Sequence, residues 1–71
     1  MGKMVTHIAQ YRQEKQINQD ELAVLVSVRR ETINRLEKGQ YNPSLKLAHD
    51  IAKVFGVPIE ALFTFEDDNK E

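Results

Sequence analysis

The chain contains no cysteine, so neither a disulfide nor a thiolate-held zinc can staple it, and its 71 residues must rely on a single apolar core of modest size. The same absence fits a reducing compartment. No run of 18 or more apolar residues occurs, and Met1 to Ala9 lacks the apolar centre of a signal peptide, so membrane insertion and secretion find no support and a cytoplasmic location is expected. His7 and His49 fall on different predicted helices, with no second ligand at metal spacing, and no metal or other cofactor is expected. Gly2, Gly39 and Gly56 are too scattered to form a phosphate-cradling loop, and Ser27 and Ser44 have no nearby His and Asp to activate them. Catalysis is therefore not expected.

The net charge is only −1, which argues at first against a polyanionic partner, but the charge is unevenly distributed. Residues 1 to 46 hold eight Lys or Arg against five Asp or Glu, whereas residues 47 to 71 hold two against six. The local field at a contacting face steers association, not the formal total. Glu66, Asp67, Asp68 and Glu71 form an acidic tail, expected over 66–71, that should point away from any polyanion. The preceding 1–65 read as one domain, with no internal repeat or linker.

Five helices can be read, giving an all-α class. The first runs from about Val5 to Lys15, with Ile8 and Tyr11 directed to the core. Asn18 and Glu21 have the spacing of a capping box at the start of the second helix, whose apolar face is Leu22, Ala23, Leu25 and Val26. Val28 fills a bend, the third helix follows with Ile33 and Leu36 facing inward, and Gly39 ends it. Asn42-Pro43-Ser44 is a turn that launches the fourth helix, either with Pro43 as its first residue or with Ser44 as its cap. Leu45, Ala48, Ile51, Ala52 and Phe55 make the buried stripe of that helix; Gly56 stops it, and Pro58 opens a short fifth helix through Leu62 or Phe63.

The most telling stretch is Gln19 to Glu37, Q-D-E-L-A-V-L-V-S-V-R-R-E-T-I-N-R-L-E: two short amphipathic helices about one turn apart, the second carrying exposed arginines. With Gln19, Ala23, Val28 and Ile33 in register, and G-Q-Y-N-P-S-L-K-L-A following from Gly39 to Ala48, it resembles the helix-turn-helix of the phage-repressor/Cro family, also called the xenobiotic-response-element (XRE) family. The resemblance covers roughly residues 4 to 63, with the helix-turn-helix at about 19–38. It implies a five-helix lambda-repressor-like fold and a DNA-binding transcriptional regulator, with a repressor acting as a homodimer on an inverted repeat as the expected form. It also implies a nucleoid-associated protein, with no small-molecule sensor domain in this chain. An antitoxin or adaptor using the same fold to bind protein remains the alternative.

Carried onto this sequence, the family's base-reading positions are Arg30, Glu31 and Arg35, with Asn34 a lesser candidate. Arginine can pair bidentately with guanine and asparagine with adenine, and glutamate can accept from the cytosine amino group. Glu31 is then either a selector or a repeller. The same carry-over assigns Gln19, Lys38, Tyr41 and Asn42 to phosphates, with Arg29 an added cation. Arg12 and Glu37 fall where relatives make an ion pair, the competing reading being two separate surface charges. Two departures stand out: Ser27 occupies a bend where most relatives have glycine, and Arg29 occupies an N-cap position usually held by serine or threonine. Phe63 and Phe65 are assigned to a dimer interface, with an extended Phe63–Glu66 pairing antiparallel with its mate; the competing reading is a frayed tail with Phe63 alone in the core.

Overall fold

The computed structural model describes residues 2–67, in the order β1 (Gly2–Thr6), α1 (Ile8–Glu14), α2 (Gln19–Leu25), α3 (Arg30–Glu37), α4 (Leu45–Phe55), α5 (Ile59–Leu62) and β2 (Phe63–Asp67). All five expected helices form. Asp68 and Glu71 of the expected tail lie outside the described residues, and the boundary drawn after Phe65 falls inside β2.

The N-terminal end of the chain departs from the helical expectation, and the C-terminal strand finds an unexpected partner there. β1 and β2 make an antiparallel ribbon in which Met4 faces Phe65, Val5 faces Thr64 and Thr6 faces Phe63. The first helix consequently starts at Ile8, because Val5 and Thr6, whose β-branched side chains suit a strand, are in β1. His7 turns the chain between the two elements, and its backbone N–H donates to Leu62 O at 2.8 Å. The expected strand over Phe63–Glu66 exists, but it takes its partner from β1 of the same chain. The ladder along that edge of β2 is therefore internal.

Four of the helices end with one device. Gln16, Ser27, Gly39 and Gly56 all adopt positive φ, at 59°, 61°, 72° and 68°. After α2, the Ser27 N–H donates to Val24 O and that of Val28 to Ala23 O; after α3, Gly39 donates to Leu36 O and Gln40 to Arg35 O. These paired reverse bonds are the Schellman closure, which satisfies carbonyls that the helix leaves open. The same pairs follow α1 at Gln16 and Ile17, and α4 at Gly56 and Val57. Ser27 thus adopts the left-handed conformation that its place in the bend demands, at a cost glycine would not incur. At the helix starts, Asn18 and Glu21 complete a reciprocal capping box, and Ser44 Oγ accepts from the Leu47 N–H, so Ser44 is the cap and Pro43 precedes it.

The helices enclose a core whose centre is Ile8, Leu22, Ile33, Leu36, Ile51 and Leu62, all fully buried, each worth about 1.5–3 kcal/mol of transfer free energy. Tyr11 stacks on Phe55, with ring centroids 5.8 Å apart, at the edge of this core. Two expected core positions lie outside it. Leu45 is 79% exposed, because the buried face of α4 is set by Leu47, Ile51 and Phe55 at four-residue spacing, and Leu45 is two residues, about 200°, away from Leu47. Leu25, 59% exposed, loses its expected place to Ala23 and Val26.

Candidate nucleic-acid interface

α3 is a two-faced helix. Ile33 and Leu36 anchor it in the core, while Arg30, Glu31 and Arg35 project from the opposite side, with Asn34 half-buried between the two faces. Glu31 in its first turn and Arg35 in its last complement the helix dipole. Arg29 occupies the N-cap in an extended conformation without a side-chain cap, and its carbonyl accepts from the N–H groups of Thr32 and Ile33. Its guanidinium is thereby left to the surface. Lys38, Tyr41 and Asn42, in and after the last turn of α3, are likewise exposed. α2 packs against α3 through the bend at Ser27 and Val28.

Behind that face lies a polar network. Arg12 and Glu37 form a two-pronged pair, with Nε to Oε2 at 2.7 Å and Nη2 to Oε1 at 3.2 Å, and their side chains are only 15% and 9% exposed. Arg12 Nη1 also donates to Ile17 O at 3.1 Å, tying α1 to the start of α2. The Glu37 hydrogen bond, assisted by its charge and opposed by burial, raises the Arg12 pKa above its ordinary value. Gln19, expected at a phosphate, turns its amide nitrogen inward, donating to Glu37 Oε1 at 3.0 Å and to Asn34 Oδ1 at 3.4 Å.

Three further contacts at the site escape sequence reading. Arg30 Nε approaches Asp20 Oδ1 at 3.5 Å across the surface of the helix pair, so a prospective base-reading arginine has an acidic neighbour in the free protein. Thr6 Oγ1 of β1 donates to Glu37 O at 3.1 Å. Gly39 packs so closely on β1 that a Cβ there would lie 2.9 Å from Met4 O. Together the last two fasten the terminal ribbon to the C-terminal end of α3. Only a contact some thirty residues distant in sequence would have revealed either, and no local pattern encodes it.

Elsewhere on the surface, Phe63 packs partly against the core while Phe65 is 68% exposed, and both line a shallow apolar concavity with Leu45, His49 and Ile59. Among the described residues no helix is long and apolar enough to cross a membrane.

Residues 8–62 match the family model described as Helix-turn-helix. An HTH-type transcriptional regulator of Archaeoglobus fulgidus is 55% identical over 92% of this chain and 93% of its own length, and one of Methanocaldococcus jannaschii is 49% identical over 92% and 98%. The cryptic phage CTXphi transcriptional repressor RstR of Vibrio cholerae is 36% identical over 87% of this chain and 56% of its own length. With α2 and α3 packed at a Schellman bend, basic side chains displayed on α3 and a family match across all five helices, the chain belongs to the XRE-type helix-turn-helix family of DNA-binding transcriptional regulators.

Proposed function

We propose that this regulator is a sequence-specific repressor that lays α3 in the major groove and binds an inverted repeat as a homodimer. The observation that carries the reading is the division of α3, with Ile33 and Leu36 fully buried while Arg30, Glu31 and Arg35 stand exposed on the other side. A helix so anchored presents a fixed set of donors and acceptors, which is what groove reading needs. Arg30, Glu31, Asn34 and Arg35 face base edges, and Arg29, Lys38, Tyr41 and Asn42 hold phosphates on either side of them. Gln19 sits at the same surface, but its side-chain nitrogen is already engaged within the protein. Repression is supported by the likeness to the Vibrio phage repressor RstR, and a DNA target would make the protein nucleoid-associated and cytoplasmic.

Dimerisation is supported by an apolar surface that neither Arg30 nor Arg35 lines. β2 pairs with β1 along one edge, and beside it Leu45 and Phe65 are largely exposed over the concavity they share. A second copy seated there would cover both side chains and extend the ribbon. A second reading, an adaptor that binds protein, is favoured by a different patch: Val24 is 77% and Leu25 59% exposed on α2, beside half-buried Ile17.

Selection from random duplex DNA tests the reading. Enrichment of an inverted repeat, its half-sites about one duplex turn (~34–36 Å) apart, is the expected result, and absence of enrichment at low salt would overturn it in favour of the adaptor. Arg35→Ala should then relax preference at one base per half-site, whereas Lys38→Ala should weaken all sequences alike and reduce the salt slope by about one.

A further inference from the structure

The side chains behind α3 form a one-way chain of hydrogen bonds. An ionised carboxylate can only accept, so the atom that Gln19 turns toward Glu37 Oε1 must be its amide nitrogen. That nitrogen carries two hydrogens, and the second is directed at Asn34 Oδ1, 3.4 Å away. Reversing the Asn34 amide would set nitrogen against nitrogen, two donors with no acceptor between them. Arg12, bonded to both Glu37 oxygens, keeps the carboxylate in place.

We propose that Glu37, acting through Gln19, fixes the polarity of Asn34, so that Asn34 offers its NH2 group to DNA as a donor while its oxygen is held within the protein. This rests on the reading of α3 as the groove-facing helix. Asparagine specifies adenine by donating to N7 and accepting from the N6 amino group, a pairing that needs both ends of the amide. With the oxygen turned inward to Gln19, the NH2 group is the end of Asn34 that faces outward, so Asn34 seeks an acceptor there, the O6 or N7 of guanine or the O4 of thymine, and adenine loses its advantage at that base. Glu37 and Gln19 are positioning residues here. Gln19 is correspondingly withdrawn from the phosphate, because only its oxygen is left to face outward.

Two substitutions at Gln19 separate polarity from packing. Gln19→Met removes the donor and frees the Asn34 amide to turn; Gln19→Lys restores a donor-only group in reach of Glu37 and Asn34. Each variant is checked by circular dichroism for wild-type helical content, with Gln19→Ala replacing Gln19→Met if the latter does not fold. In the free protein, the nitrogen-15 and proton resonances of the Asn34 side-chain amide should move with Gln19→Met and stay near their wild-type positions with Gln19→Lys. In the selection from random duplexes, Gln19→Met should raise adenine over guanine at one base of each half-site by at least about five-fold, and Gln19→Lys should keep the wild-type preference. An unmoved Asn34 resonance in Gln19→Met, or a sequence preference identical to wild type with uniformly weaker binding, would overturn the proposal. If wild type itself enriches no sequence, the proposed function fails, and the resonances of the free protein still decide the polarity.

Discussion

Replacing Arg12 by alanine removes two hydrogen bonds to Glu37 and one to Ile17 O and leaves a carboxylate that is only 9% exposed without its countercharge. Stranding one member of a fully buried pair costs about 3–5 kcal/mol. Here Glu37 retains the Gln19 N–H, and both side chains lie near enough to the surface for water to recover part of the loss, so the expected cost is about 2–4 kcal/mol. For a domain of this size that lowers Tm by about 10–25 °C, a large part of a typical total stability. The double change Arg12→Met with Glu37→Leu leaves no charge to strand and should return most of the loss. Urea unfolding of wild type, both single variants and the double variant gives the coupling energy, expected to exceed about 1.5 kcal/mol. The Arg12 pKa is raised in the folded state, so its contribution is fully present below the unfolded value and is lost only as pH rises through the higher folded one; the cycle should give the same coupling at neutral pH and at about pH 9. A coupling near zero would refute the reasoning and make these two residues separate surface charges.

Gly39→Ala and Gly56→Ala should separate conformational strain from crowding. Both place a Cβ at positive φ, worth about 1 kcal/mol, but the Gly39 Cβ would also meet Met4 O at 2.9 Å whereas that of Gly56 meets nothing within 4 Å, so thermal melts should show the larger loss at Gly39. Asp20→Asn should release Arg30 and tighten DNA binding by about two- to five-fold at low salt, an effect that fades as salt rises; unchanged affinity would mean that the 3.5 Å pair does not hold the arginine back. Phe65→Lys, placed on a side chain 68% exposed in the single chain, should convert a dimer to a monomer in sedimentation without loss of folding, and a wild type that is monomeric both free and on DNA would remove the dimer from the proposed function.

Much of the fold is local enough to read in the chain. The capping box at Asn18 and Glu21, the glycine stops at Gly39 and Gly56, and the inward pair Ile33 and Leu36 each depend on neighbours within one or two turns. The terminal ribbon is different, since Thr6 and Phe63 meet only after the whole chain has closed, and an apolar residue such as Val5 suits a strand or a helix until that partner is known. The end of α1 was hidden for a related reason: Gln16 takes positive φ because the next residue, Ile17, must return to the core, whereas the bend at Ser27 was legible. At the site, residue types pointed to the exposed positions of α3. They did not show that Gln19 faces inward, because which end of an amide turns toward the protein depends on a carboxylate eighteen residues away.

The ribbon also bears on the order in which the molecule is made. A chain that emerges from the ribosome N-terminus first delivers β1 well before its strand partner, β2 (Phe63–Asp67), which follows all five helices. Until then the Thr6 and Gly39 contacts must form without the hydrogen-bonded ladder that steadies β1, and closing a loop of this span carries its entropic cost before any pairing repays it. α2 and α3 are complete well before that moment. A nascent chain stalled short of Phe63 therefore has α3 complete but lacks the strand that, through β1, braces the end of that helix.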